Sequence, residues 1–572
     1  MAISLRLKSL AVVSVVAFAL VAVSGGVDPA DSQAPRLAKA TLTVLPGAPL
    51  QAVPRSFLGI STEYWALPLY ARRMALFERV LEMLHVPGSG PFVVRVGGDS
   101  ADHAFWAPRA ARLPPWAFTL NSTWLGQVRE LVHRLGVHLI VDLNLITDTP
   151  AEAAAWASAA EHGLPRHSIV GFEIGNEPDI YSHRGWIATT AGRMIADAQL
   201  SARAGGRLPA DLGGALTSDL GGRLSLGLGG RLSSRAGCRF SSRAGAGLSS
   251  GAGGQLPSGL TPADYVTDFR AYTAALHGVA PGVPLLGPAL ANPHANVRWI
   301  ARLLADKPAA LKTVSVHRYP YSACAKRRGQ ADFPTLSRLL SRQASAGLTR
   351  SLEPAIALAH RAGLPIRLTE LNSITCGGRA GLSNAFATAL WAPAALLHLA
   401  RAGIDGVNVH IRANTINAPF ALSAGGLTAR PLLYGLILFA RTLGPSAALA
   451  PVALRAPSSP HLSAWAVRVR GSELHVLLIN EGRRAVKVTL RLPTTGSAWV
   501  QRLLAPSAAS ASHVTLAGQQ LGRDAAWQRQ RVEPQIAAAT GGYRVTVPRF
   551  SAALLGARLR PGALTGAPGR AP

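Results

Sequence analysis

The chain is short of acid. Against 58 lysines and arginines stand 29 aspartates and glutamates, a formal net charge of +29 over 572 residues. Such an excess points to an anionic partner or to plain compositional bias. Clustering is also missing. The arginines fall singly or in short pairs, with no long Lys/Arg block and no aromatic–basic ladder to track a phosphate backbone, which argues against a nucleic-acid partner. Cysteine is scarcer still. Three residues (Cys238, Cys324 and Cys376) are too few for a disulfide scaffold. No Cys/His group has metal-ligand spacing, since His133 and His138 straddle a strand start, so no metal site is expected. Past the first 24 residues, no stretch is both long and charge-free enough to span a bilayer.

Those first 24 residues read as an export signal: Arg6 and Lys8, the apolar run Leu10 to Val23, and small residues before Gly25. The remaining chain is then expected to be secreted, periplasmic or attached to the cell surface. In that oxidising setting Cys324 and Cys376, each just past an expected strand end, are candidates for one bridge, with two unpaired thiols the alternative. Residues 25–54 read as a linker followed by strands that join a β-module near the C-terminus.

From 55 to 440, apolar runs of strand character alternate with amphipathic helical patterns. The strands fall at Phe57–Ile60, Phe92–Val96, His138–Leu143, Ile169–Ile174, Pro284–Leu286, Thr313–Val316, Pro365–Thr369 and Gly406–Ile411. Helices are expected between most of them, including single ones over Leu69–Leu84, Val297–Ala305 and Leu336–Ala362. Eight such strands give an α/β fold, a closed (β/α)8 barrel. A doubly wound sheet is disfavoured because no Gly-x-Gly-x-x-Gly turn follows the first strand. Residues 200–260 interrupt the rhythm with Gly, Ser, Leu, Ala and Arg, and Gly-Gly-Arg-Leu recurs from 205, 221 and 229. So much glycine reads as a low-complexity insertion unable to offset its ordering entropy. From 441 to 560 short alternating stretches separated by turn residues predict a β-sandwich, and 561–572 is a Pro/Gly/Ala tail.

The chemistry concentrates at strand ends. The fourth strand runs into Asn176-Glu177-Pro178, where Pro178 should stop the strand and bias Glu177 toward an extended backbone. The seventh carries Glu370 in Leu-Thr-Glu-Leu-Asn. Strands four and seven of an eight-strand barrel face each other across its mouth. Two facing carboxyls are what glycoside hydrolysis needs, one protonated for the leaving oxygen and one ionised to attack the anomeric carbon. Arg95 and Tyr319 are placed to hold Glu370 ionised. Asn176 is placed to bond a sugar 2-hydroxyl. Glu63, His317 and His410 lie on the same rim.

With those residues in view, the sequence resembles glycoside hydrolase family 79, β-glucuronidases and heparanase-like retaining enzymes. The resemblance runs from about 50 to 440 through Gly59-Ile-Ser-Thr-Glu63, Arg95-Val-Gly-Gly-Asp99-Ser-Ala-Asp102, Gly171 to Asp179, His317-Arg-Tyr-Pro320, Thr369 to Ser373 and Val407-Asn-Val-His410. It implies Glu177 as acid/base and Glu370 as nucleophile, with net retention and no cofactor. Asn176, Glu63, Asp99, Asp102 and His410 would line the sugar subsite, and a glycan or glycoside would be the partner. The family holds a uronate carboxylate partly through backbone after the nucleophile, for which Gly377 and Gly378 are available, and partly through a Gly/Tyr-rich loop after strand eight. Here that loop, Ile411 to Phe420, has no tyrosine, and Arg412 is the candidate substitute. A neutral-sugar glycosidase and a non-catalytic glycan binder remain the alternatives.

Overall fold

The computed structural model describes residues 37–109, 113, 116–181, 260–456, 461–470, 472–564, 566 and 569. The expected signal segment, most of the low-complexity insertion, Cys238 and half of the tail lie outside these residues. Everything discussed below belongs to one compact unit, Ala38–Pro572.

Eight parallel strands close a barrel. They are β1 Leu58–Glu63, β2 Val93–Gly97, β3 His138–Leu143, β4 Ile169–Ile174, β5 Leu285–Leu290, β6 Leu311–Arg318, β7 Ile366–Leu371 and β8 Gly406–Ile411. Consecutive strands pair around the ring, and β8 returns to β1 with Val407 opposite Leu58. The two-residue alternation of a strand explains how the interior is furnished. On β2, Val94 and Val96 pack outward into the large core shared with the helices, while Val93 joins Ile140 and Leu286 in a separate small apolar cluster. Two residues further along the same strands come Arg95 and Asp142, both fully buried. The barrel interior therefore changes from aliphatic to charged within one strand step, toward the C-terminal mouth.

Three helices differ from the sequence reading. The stretch over Leu69–Leu84 is two helices, Leu67–Ala71 and Met74–Leu84, broken where Arg73 leaves helical geometry and its guanidinium reaches the Ser423 carbonyl. The one over Leu336–Ala362 is a chain of short pieces, Leu336–Leu339, a π-helical turn Gln343–Gly347, Leu348–Arg350 and Glu353–Arg361. Its last piece restarts with Pro354 in the first turn, where a missing N–H costs nothing. The helix over Val297–Ala305 begins earlier, at Pro293.

Beyond the barrel two sheets face each other. A four-stranded sheet orders Val452–Arg455, Ala38–Val44, Val486–Arg491 and Tyr543–Val547, so the first described strand sits between C-terminal ones. The larger sheet carries Leu462–Val469, Glu473–Asn480, Ser551–Leu559 and Thr494–Leu504 in that order. Its strands are buried on both faces. Val476 and Leu478 belong to the core between the sheets, whereas Leu477 and Ile479 belong to the core shared with the barrel. This double burial is why Ser551–Leu559 escaped the sequence reading. A strand covered on both sides loses its polar/apolar alternation.

Candidate active site

Glu177 and Glu370 meet at the barrel mouth. One carboxylate oxygen of each, together with a ring nitrogen of His317, lie within 4.8 Å of one another. Glu177 follows β4 by three residues. Its backbone is not extended as Pro178 led us to expect but left-handed, φ 56° and ψ 49°. The Glu177 N–H is spent on the Ala289 carbonyl at 3.1 Å, and Asp179 accepts from the Ala291 and Asn292 N–H groups and from the Asn296 side chain. These anchors fix the Asn-Glu-Pro-Asp turn against the end of β5 and hold Glu177 in a conformation a non-glycine residue rarely adopts.

The two carboxyls sit in opposite electrostatic environments. Glu370 accepts from the Arg95 guanidinium at 2.7 Å on one oxygen and from the Tyr319 hydroxyl at 2.7 Å on the other. Burial alone would raise its pKa. The charges of His410, His317 and Arg95, with the Tyr319 hydroxyl, outweigh burial and hold it at about 2. His410 is itself lowered to about 4 by burial, so near neutral pH the positive charge beside Glu370 comes from Arg95 and His317. Glu177 is pushed up to about 7, chiefly by burial and against the pull of its 3.0 Å contact with His317 Nδ1. One carboxyl is thus kept ionised while the other keeps its proton up to neutrality.

His317 stands between them, with Nδ1 3.0 Å from Glu177 and 3.8 Å from Glu370. Burial disfavours its charged form, but Glu370 and Glu177 prevail and raise its pKa. This trio is the one His/Cys/carboxylate cluster with ligand-like spacing among the described residues. With Arg95 already on Glu370, an added cation there would face a fixed like charge.

Two residues that the sequence reading passed over complete the site. Arg95 Nε donates to Glu173 at 2.7 Å, and its Nη2 donates to Asp142 at 2.8 Å and to Asn176 Oδ1 at 3.1 Å. The guanidinium is buried yet held charged, because Glu173, Asp142 and Glu370 together overcome desolvation. Burial raises Asp142 well above the usual carboxylate range. The signal was present in the sequence. Asp142 and Glu173 each interrupt an apolar strand at an inward position, and a buried charge needs a partner.

The remaining expected residues divide. Asn176 and His410 are at the mouth, His410 Nδ1 lying 3.2 Å from Ser61 Oγ and 3.3 Å from Glu370. Glu63 and Asp102, expected against the sugar, have no exposed surface. Glu63 accepts from the Ser100 N–H, and Asp102 accepts from the Tyr181 hydroxyl, whose oxygen in turn accepts from the Asn176 N–H. Both therefore act on the residues around them. Arg412 is placed differently from a simple uronate clamp: its Nη1 lies 2.7 Å from Asp99 and 3.3 Å from Glu63. Gly377 and Gly378 both turn with positive φ after Glu370. The Gly378 N–H is already used by the Thr375 carbonyl, and a Cβ there would meet Asn417 and Ser383. Cys324 and Cys376 form a disulfide.

A closed parallel barrel with two carboxyls at its mouth and a β-sandwich beside it is an architecture of glycoside hydrolases. Solved structures of such enzymes have a similar fold. A 4-O-α-L-rhamnosyl-β-D-glucuronidase from Fusarium oxysporum 12S superposes with a TM-score of 0.66 at 17% identity, covering 90% of this chain and 99% of that one. The GH51 arabinofuranosidase from Xanthomonas axonopodis pv. citri gives 0.59 at 14%, covering 91% and 100%. The α-L-arabinofuranosidase from Thermotoga maritima gives 0.58 at 14%, with the same coverage. Residues 464–554 match the glycosyl hydrolase family 79 C-terminal beta domain. The resemblance to family 79 thus extends from the barrel motifs into the sandwich. No curated protein matches the chain.

Proposed function

We propose that the protein is a secreted retaining glycoside hydrolase acting on β-glucuronides or related uronic-acid glycans. The observation that carries this reading is the Glu177–Glu370 pair, with oxygens within 4.8 Å and pKa values driven apart to about 7 and about 2. Retaining enzymes keep their carboxyls about 5–5.5 Å apart, whereas inverting ones leave about 6.5–9.5 Å for a water. In the first step Glu370 attacks the anomeric carbon while Glu177 gives its proton to the departing oxygen. In the second, Glu177 takes a proton from water as that water displaces Glu370 from the sugar. Arg95 and Tyr319 keep the nucleophile ionised and aimed, and Asn176 stands beside the site of the 2-hydroxyl.

The family 79 match over 464–554 and the likeness to a glucuronidase favour a uronate substrate. One observation favours a neutral sugar instead: Arg412, the cation closest in role to a carboxylate clamp, already faces both Asp99 and Glu63. Export is supported by the Cys324–Cys376 disulfide, a bond that persists in oxidising compartments.

A panel of chromogenic β-glycosides with Glu177→Gln and Glu370→Gln variants tests the reading. We expect hydrolysis of glucuronide with retained configuration, and loss of about 10²–10⁴-fold on removing the acid/base. The wild-type rate should fall above pH about 7 as Glu177 ionises, and Glu177→Gln should abolish that limb. Hydrolysis of glucoside or galactoside alone would replace the uronate assignment. Binding of oligosaccharide without turnover would replace the enzyme assignment.

A further inference from the structure

The loops leaving β6 and β7 are tied together just beyond the residues that meet at the nucleophile. Tyr319 follows β6 directly, and five residues on comes Cys324; Glu370 is on β7, and six residues on comes Cys376. Between these points the two loops form a two-rung parallel ladder, Tyr321 opposite Ile374 and Ser322 opposite Thr375. The Ala323 N–H continues it to the Thr375 carbonyl at 3.3 Å. A ladder of two rungs is marginal in water. The covalent bond between Cys324 and Cys376 closes it. Cys324 lies on the exposed surface, so the tie sits outside the site.

The position matters because Tyr319 is the one residue of the loop after β6 that touches Glu370, and it does so through a single hydroxyl contact of 2.7 Å. Arg95, the other donor, comes from β2 and is fastened from behind by Asp142 and Glu173. The loop that carries Tyr319 is anchored from within and from the helical side, by Arg318 on Ser351 and by Arg338 on the Gln330 and Phe333 carbonyls, and none of these side chains reaches the loop after β7. The Tyr319 carbonyl accepts from the neighbouring Arg318, and its neighbour Tyr321 bonds the Arg338 carbonyl.

We propose that the Cys324–Cys376 disulfide is a positioning device for the nucleophile: by fastening the loop after β6 to the loop after β7, it holds the Tyr319 hydroxyl on Glu370. The inference rests on reading Glu370 as the nucleophile. A disulfide closing a segment with a sequence separation of 52 also stabilises the chain through its unfolded state, a role that would leave the Tyr319–Glu370 contact untouched. The two roles separate cleanly.

The experiment labels tyrosine with ¹³C at Cζ, assigns Tyr319 by its loss in Tyr319→Phe, and compares wild type with Cys324→Ser/Cys376→Ser at neutral pH. The same wild-type protein is also compared after reduction by dithiothreitol. There each cysteine sulfur gains a hydrogen and the reagent leaves as its cyclic disulfide, so the test survives a serine variant that will not fold. We expect the Tyr319 resonance to move toward that of solvated tyrosine when the bond is opened. An unchanged resonance with a lowered melting temperature would overturn the proposal. On an active substrate, kcat/KM should fall about tenfold in both the double serine variant and Tyr319→Phe, and no further when they are combined. Losses that multiply would also overturn it. Absence of turnover on every glycoside would instead remove the nucleophile reading, while the resonance still reports on the contact.

Discussion

Arg95 explains more of the site than either glutamate does. A guanidinium with no exposed surface would normally be a liability, yet this one is satisfied by three carboxylates and an amide oxygen. Only one of those carboxylates, Glu370, is required by the proposed chemistry. Asp142 and Glu173 are there to hold the fork in place, which makes a prediction at the scale of single side chains. Glu173→Gln or Asp142→Asn should let Arg95 swing from Glu370, raise the Glu370 pKa and move the acid limb of the rate profile upward by about one unit. A rate profile unchanged on the acid side in both variants would show that Arg95 is positioned by other means. The two catalytic candidates were legible because strand ends are marked by a proline and by the return of polar residues. The left-handed backbone of Glu177 was not. The steric rule for a residue before proline favours extension, and it was overridden by the contacts of Ala289, Ala291 and Asn292, all supplied by β5 and the turn after it.

Among secondary-structure elements, the helices Ala387–Ala402 and Pro431–Leu443 approach each other closely at Gly435. A Cβ on Gly435 would stand 2.4 Å from the Ala389 carbonyl oxygen and 2.7 Å from its Cα, both of them backbone atoms that cannot rotate aside. Gly435→Ala should therefore push two buried helices apart at a cost of about 1–3 kcal/mol, read as a lowered denaturation midpoint. A variant as stable as wild type would show that the helices have room to separate. The second of these helices was missed in the sequence because Leu432 to Phe439 is apolar on nearly every side. It is buried against the barrel on one face and the large sheet on the other, so no amphipathic period remains to be read. Strands of the barrel were found more readily than their lengths. Their apolar centres stand out, but β1 and β6 run on through Ser61 and His317, where the inward positions turn polar, and β5 runs on through Gly287 and Pro288, residues that read as a strand end.

For the molecule as a whole, burial of ionisable groups sets the response to pH. Burial raises Glu63 and Glu177 to about 7 and Glu481 and Asp148 to about 8. A carboxyl whose folded pKa lies above its unfolded one stabilises the fold below the unfolded value and loses that contribution as pH rises through the folded value. His103, His398 and His410 are lowered to about 4, again mainly by burial, so they withdraw stability as pH falls from about 6.5. The melting temperature should accordingly rise as pH is lowered from 9 to about 6.5 and level off below that. Glu481→Gln should flatten part of the alkaline decline. A melting temperature that climbs from pH 6.5 to 9 would contradict the burial of these groups.

The strand Ala38–Val44 lies between Val452–Arg455 and Val486–Arg491, with more than four hundred residues, the whole barrel among them, separating it from both neighbours along the chain. During synthesis it emerges from the ribosome long before either partner exists. The sandwich cannot finish until the last tenth of the polypeptide has been made, so its assembly is a late event governed by distant parts of the message.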